Sequence, residues 1–395
     1  MTVSPTSVAL APLVGVYAQP ELVLVKGEGC WVWDEQGRRY LDFTAGIAVN
    51  ALGHGSPIVA RAIQEALATG LIHTSNLYRT RPVAELAETL VALAFPGRAF
   101  FCNSGAEANE GAFKFARRWS GSTGTEAKRE FISFRGAFHG RLFGTLAATD
   151  REAYQAPFRP LMPGVQFLEV GDVASVESLL ESGTVAAVII EPLQGEGGVR
   201  LVPTEFLRSL RALCDRHRSL LIFDEIQCGL GRTGKLFAWQ HAGVAPDIMT
   251  LAKPLAGGLP MGAVLVTEEV ASTLQPGDHG TTFGGGPLVA TVALAVVRTL
   301  SDPSFLEGVT ERGAFLRKGL EGLRERSKRV RSVRGMGLLQ GIVLEGQSAS
   351  VVTAAREKGL LVVAAGPEVV RVIPPLNVGY EELEQGLEIL EEILA

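Results

Sequence analysis

Leu220-Leu221-Ile222-Phe223-Asp224 and Asp247-Ile248-Met249-Thr250-Leu251-Ala252-Lys253 are short apolar runs, each ending on a charged residue. Runs of this length, rich in branched side chains, read as buried strands. Working outward from them, similar runs recur at Ala99–Cys102, Phe131–Phe134, Val165–Val170, Ala186–Ile190 and Gly262–Val266. Most are separated by segments long enough for a helix. The alternation predicts an α/β fold: a mostly parallel seven-stranded sheet with helices on both faces. Only Lys253 to Met261 separates the last two runs. A parallel crossover needs roughly a dozen residues or more, so the seventh strand is expected to run antiparallel to the sixth. Ligands of open α/β sheets gather outside the carboxyl ends of the strands. Asn103-Ser104, Glu191, Asp224 and Lys253 all fall there.

Flanking segments suggest a second, smaller α+β unit. Glu21–Val25 and Trp31–Phe43 are β-like, with a hairpin turn at Asp34-Glu35-Gln36-Gly37. An apolar helix is expected from Pro287 to Leu300, followed by strands near Leu338–Leu344, Leu360–Val363 and Val369–Ile373. The closing helix, Tyr380 to Leu394, carries Leu383, Leu387, Leu390 and Leu394 as a core stripe between glutamates. A chain of 395 residues exceeds one ordinary core. The expected division is an N-terminal segment 1–68 packing with the small domain, a large domain 69–285 and a small domain 286–395.

Composition narrows the function classes. With 37 Lys and Arg against 42 Asp and Glu, and no dense basic stretch, the chain is not built for nucleic acid or an anionic membrane, whereas small anionic ligands fit. Cys30, Cys102, Cys214 and Cys228 stand far apart without a C-x-x-C pair, which reads as buried, reduced thiols rather than a metal site. No Lys or Arg precedes Lys26, so neither a secretory signal nor a mitochondrial leader is expected, and no apolar run reaches membrane-spanning length. The expected location is the cytoplasm.

Gly229-Leu230-Gly231-Arg232-Thr233-Gly234-Lys235 satisfies both G-x-G-x-x-G and the start of a P-loop. Its context fails both. Asp224 to Cys228 intervene between strand and first glycine, and Leu236 stands where a P-loop needs Ser or Thr. Asn103-Ser104-Gly105-Ala106-Glu107-Ala108-Asn109 is a better anion site: Ser104 caps a helix, Glu107 completes a capping box, and Gly105 and Ala106 expose amides to a phosphate. Taken alone it is as easily an ordinary capped helix.

The chemistry rests on Lys253 with Asp224. A lysine amine that condenses with an aldehyde, and a carboxylate that keeps a pyridine nitrogen protonated, are what pyridoxal 5'-phosphate requires. Ile226, two residues beyond Asp224, shares its face and would lie against the ring, with Gln227 reaching the ring hydroxyl. Phe138 offers a stacking face and Arg141 a planar grip for a carboxylate, while His139 reads as structural. Gly280–Pro287 is a flexible loop bearing two hydroxyls, Thr281 and Thr282.

Ser104–Asn109, Gly140-Arg141, Glu191–Gly198 (EPLQGEGG), Asp224–Gly234 (DEIQCGLGRTG), Lys253–Gly258 and Gly280–Gly286 resemble the class III, fold-type I aminotransferases over nearly the whole chain. Gly46–His54 and His73–Tyr78 narrow the resemblance to members acting on the distal amine of diamino-acid derivatives. The resemblance implies a homodimer with its active site at the interface, taking a small-molecule amine donor and 2-oxoglutarate or glutamate. It implies that Lys253 holds the cofactor and moves protons, Asp224 pairs with the ring nitrogen, and Gly105 and Ala106 bind phosphate. Thr282 of the partner subunit would complete the phosphate site, and Thr281 would lie near substrate. Arg141 and Arg371 would clamp carboxylates, and Glu196, which the resemblance places against Arg371, would either mask it in one half-reaction or form a fixed interdomain ion pair with it. A racemase or decarboxylase on this fold would not need two such clamps. The chain departs from the family at Gly286, where Asn is usual, and at Tyr17-Ala18-Gln19-Pro20, which lacks the more typical arginine.

Overall fold

Seven strands carry the molecule: β1 (Gly97–Cys102), β2 (Glu130–Phe134), β3 (Val165–Leu168), β4 (Val185–Ile190), β5 (Leu220–Asp224), β6 (Ile248–Leu251) and β7 (Gly262–Thr267). They lie in the order β1-β7-β6-β5-β4-β2-β3. In this computed structural model, which describes residues 13–17, 22–125 and 127–395, β7 runs antiparallel to both β6 and β1, and every other adjacent pair is parallel. The short link between the last two strands has the consequence expected of it. Residues 18–20 of the N-terminal motif, and Glu21, lie outside the described residues.

The strand period of two decides which residues meet which helices. Leu220 and Ile222 pack with Ala108, Ala112 and Phe115 of helix α1 (Gly105–Ser122). Leu221 and Phe223 point the other way, onto Phe206, Leu210 and Leu213 of the helix Thr204–His217. With both faces covered, β4, β5 and β6 are buried at every position, which is why they read as unbroken apolar runs.

The flanking segments form two further sheets. Leu24–Glu28, Trp31–Asp34 and Arg39–Asp42 make an antiparallel meander. Its second turn is held by Asp34 Oδ1, which accepts from the Gln36 and Arg38 amides at 3.0 and 2.8 Å. Leu360–Leu361 joins this meander in parallel with Leu41 and Asp42, so the two ends of the chain share a sheet. The second sheet contains β8 (Val330–Met336), β9 (Leu339–Leu344), β10 (Val363–Ala364) and β11 (Val369–Val372), in the order β8-β9-β11-β10. The strand expected at Leu360–Val363 is therefore split between two sheets. Helices Pro287–Leu300 and Tyr380–Leu394 form over the expected residues.

The Gly229–Lys235 stretch is interior. Gly229 through Gly234 are buried and only Lys235 reaches the surface. Arg232 is wholly enclosed, donating from Nη1 to Leu338 O at 3.1 Å and Pro374 O at 2.5 Å. A loop that fastens the small sheet from inside cannot receive a nucleotide. All four cysteines are buried and unpaired, and burial pushes the Cys30 and Cys102 thiols up to about 12. Among the described residues no cluster of His, Cys, Asp and Glu could hold a metal, and no single helix is long and apolar enough to cross a membrane.

Candidate active site

A cavity of about 410 Å³ opens at the carboxyl ends of the strands. One wall is the start of α1. Ser104 Oγ accepts from the Glu107 amide at 3.2 Å, and Glu107 Oε2 accepts from the Asn103 amide at 2.7 Å and Asn103 Nδ2 at 2.9 Å. The return half of the capping box thus falls on the residue before the cap. The amides of Gly105 and Ala106 stay out of this exchange, at the positive end of an 18-residue helix. Gly105 also meets a packing limit: a Cβ there would lie 2.8 Å from Ile226 Cδ1, so Ile226 would have to shift.

Opposite charges come from the ends of β5 and β6. Asp224 is buried, and Oδ2 takes the Asn109 amide nitrogen at 2.7 Å and His139 Nδ1 at 2.8 Å, while Oδ1 accepts from the Ile226 amide at 3.1 Å. Asn109 is oriented by Thr250, whose hydroxyl donates to Asn109 Oδ1 at 2.8 Å. With Asp224 ionised, the His139 proton sits on Nδ1. Lys253 begins a 3₁₀ turn at φ 39°, a left-handed conformation that costs a lysine about 1–3 kcal/mol and is typical of functional positions. Burial, with Arg371 nearby, pushes its amine down to about 8, against the pull of Glu196, Glu191 and Asp224.

One more acid, Glu191, lines the cavity. Glu191 accepts from the Phe138 amide at 3.0 Å and the Gly195 amide at 3.1 Å, and burial together with the Asp224 carboxylate raises its pKa. It thereby ties the Phe138 loop to the turn that carries Glu196. Glu225 faces away, accepting from the Ala238 and Trp239 amides.

The structure brings Ser104, Gly105, Ala106 and Phe138 into this cavity together with Arg141, Glu196, Asp224, Ile226, Gln227 and Lys253. Arg371 lies behind it, giving Nη1 to Gln227 and Nη2 to Glu196. Thr281 and Thr282 do not line the cavity. Thr281 Oγ1 accepts from Asn103 Nδ2 at 2.9 Å, and Thr282 is exposed on the same loop. Sequence reasoning missed three contributors. His139 binds Asp224 directly, Asn109 does so from one turn inside α1, and Tyr154 stacks under the Arg141 guanidinium at 3.4 Å. The only signal for His139 was its position beside Phe138 at a strand end, and Tyr154 had none.

A buried carboxylate, a depressed lysine amine and helix-start amides in one cavity above a mostly parallel sheet define a cofactor enzyme. Residues 15–394 match the aminotransferase class-III family, and the chain belongs to this family of pyridoxal-phosphate-dependent enzymes. It is 51% identical over 386 residues to the mitochondrial acetylornithine aminotransferase of Alnus glutinosa, covering 97% of this chain and 85% of that protein. The succinylornithine transaminase of Yersinia enterocolitica is 45% identical over 387 residues, covering 95% of this chain and 92% of that one. The crystal structure of N-acetylornithine aminotransferase from Stenotrophomonas maltophilia superposes with a TM-score of 0.84 at 41% identity, covering 95% and 96% of the two chains.

Proposed function

We propose that this chain moves the distal amine of N2-acetyl-L-ornithine to 2-oxoglutarate, yielding N-acetylglutamate 5-semialdehyde and L-glutamate in arginine biosynthesis, with pyridoxal phosphate as cofactor. The observation that carries the reading is the meeting of Lys253 and Asp224 in one cavity that Glu196, the partner of Arg371, also lines. The residues fit the cofactor: a Cβ at Gly105 would press on Ile226, and the one buried acid facing the cavity from β5 is held in place by Asn109 and His139.

Bound pyridoxal phosphate supplies an aldehyde for amine exchange and an electron-withdrawing ring. Asp224 would hold the ring-nitrogen proton, oriented by Asn109, His139 and the Ile226 amide. Phe138 and Ile226 would bracket the ring. Gln227, whose Oε1 already accepts from Arg371, would offer its amide nitrogen to the ring hydroxyl. Ser104, Gly105 and Ala106 would cradle the phosphate, with Thr282 supplied by a second copy. Lys253 would anchor the cofactor and, when free, carry the proton to and from the reacting carbon. At a pKa of about 8, about one in ten such amines is neutral at pH 7, against about one in three thousand for an ordinary lysine.

The acetylated donor presents one carboxylate and a distal amine, and Arg141, stacked on Tyr154, would take that carboxylate. Glu196 would neutralise Arg371 meanwhile. When the dicarboxylate binds, Arg141 would take its distal carboxylate and Arg371, released from Glu196, the α-carboxylate. The expected homodimer is supported by a cluster of exposed apolar side chains near the cavity loops, Ile72, Leu77, Tyr78 and Phe283. The four buried, unpaired thiols fit a reducing cytoplasm.

A second reading, N2-succinylornithine as donor, is favoured by the Yersinia relative. N-succinyl-diaminopimelate, ornithine and a lysine-pathway amine share the distal amine that the same residues would handle. A panel of these donors with 2-oxoglutarate tests the reading: acetylornithine should have the highest kcat/KM. A higher value for any other donor replaces it.

A further inference from the structure

The turn that carries Glu196 also borders a second cavity, of about 550 Å³, through Gly197 and Gly198. Five arginines line it: Arg135, Arg151, Arg200, Arg331 and Arg334. The acids around them are Asp150, Glu169, Glu345 and Glu368, four against five. Arg135 Nη1 pairs with Asp150 at 3.0 Å, and Arg331 pairs with Glu368 at 2.6 Å through Nη2 and with Glu345 at 3.9 Å through Nε. Arg151 spends its nitrogens on the carbonyls of Asp150 and Glu196, at 3.1 and 2.9 Å. Among the described residues, Arg200 and Arg334 have neither a salt bridge nor a side-chain hydrogen bond, and Glu169 is exposed without a cation.

Arg334 is the telling member. Its Nε is buried and has no hydrogen-bond partner among the described residues. Its Nη2 lies so close over Gly198 that a Cβ there would approach to 2.6 Å. Burial, with Arg200 and Arg331 adjacent, holds its pKa below the ordinary arginine range. A half-buried guanidinium beside other guanidiniums, with its buried Nε donor left unused, gains when an anion accepts from it. Planar forks of this kind match carboxylate and phosphate oxygens two at a time.

We propose that this cavity is a binding site for a small anion bearing two or more carboxylate or phosphate groups, separate from the transamination site. Its volume lies in the range of small-ligand pockets, roughly 300–1,000 Å³. The acids on its wall and the chain's net charge of −5 disfavour a nucleic-acid polymer. The site rests on arginines that take no part in the proposed transamination, so it stands or falls independently of the amine donor.

The test is calorimetric titration of the holoenzyme at fixed ionic strength with citrate and, separately, pyrophosphate. One molecule per chain should bind, and R200Q and R334Q should each weaken binding about tenfold or more while kcat/KM for transamination stays unchanged. A preference for citrate would assign the site to carboxylates and a preference for pyrophosphate to phosphates. No binding of either probe overturns the proposal, as does parental affinity in both variants, which would place the anion elsewhere. Should R334Q fail to fold, R200Q alone decides, because Arg200 is exposed on a two-residue strand.

Discussion

Glu196 and Arg371, 175 positions apart in the chain, meet at 2.7 Å, yet their side chains are 30% and 1% exposed. The carboxylate can turn toward water and the guanidinium cannot. This asymmetry suits a removable mask, because releasing Arg371 for a substrate carboxylate moves only Glu196. In E196A the acetylornithine half-reaction should slow by about 10- to 100-fold, the scale of one charged hydrogen bond, while the glutamate half-reaction is kept or quickens. Stopped-flow measurement of each half decides; equal losses in both would make the pair a fixed structural tie.

Asp224 is surrounded by donors, and an asparagine there would have to turn its single carbonyl to His139 and Asn109. Its NH₂ could not hold a proton on a pyridine nitrogen. D224N should fold and lose at least about 10- to 100-fold in kcat, corresponding to roughly 1.5–3 kcal/mol. Near-parental kcat would reduce Asp224 to a structural acid at a strand end.

Lys253 makes two separable predictions. K253A should abolish multiple turnover and the Schiff-base absorbance of the resting enzyme, and borohydride reduction of the parent followed by peptide mapping should label Lys253; labelling of another lysine defeats the assignment. The second concerns the apo-protein. Its folded-state amine titrates at about 8 and an ordinary lysine at 10.5, so between those pH values the unfolded chain binds more protons and stability gained at this site rises with pH. Below pH 8 both states are protonated and the contribution is flat. Denaturant melts of apo K253M should lack the rise that the parent shows between pH 8 and 10.5.

Gly105 can be tested without touching the chemistry. G105A would press a methyl against Ile226 Cδ1, an approach of 2.8 Å that only displacement of Ile226 relieves. Reconstitution of the apo-protein with pyridoxal phosphate should weaken by about tenfold, or about 1.4 kcal/mol. Unchanged affinity would show that Ile226 yields freely and does not bound the cofactor.

The sheet was legible because its central strands are buried on both faces, so β4, β5 and β6 are almost wholly apolar until their ends. The charged residues found there, Glu191 just beyond β4, Asp224 and then Lys253, stood out for the same reason. Less of the small sheet could be read. β8 mixes Arg331, Ser332 and Arg334 with apolar residues, and its register shifts between Val330 and Ser332. The helix Pro303–Arg326 hides its core positions, Val309, Leu316, Leu320 and Leu323, among charges. The partners of Asp224 and Arg141 were not readable because hydrogen bonds from Asn109 and His139, and the stacking of Tyr154, depend on how loops after different strands converge. Local pattern carries no record of that.

The reversal of β7 has a further consequence. Because that strand returns between β1 and β6, residues 253–261 have no long helix to traverse and must fold straight back over the sheet, where Gly258, Leu259, Pro260 and Met261 become wall for the lysine's cavity. Connections that pass through helices can absorb added residues at their outer ends. This one is a tight return with the reactive amine at its hinge, so its length is itself a working dimension of the enzyme: one residue more or fewer would re-aim Lys253.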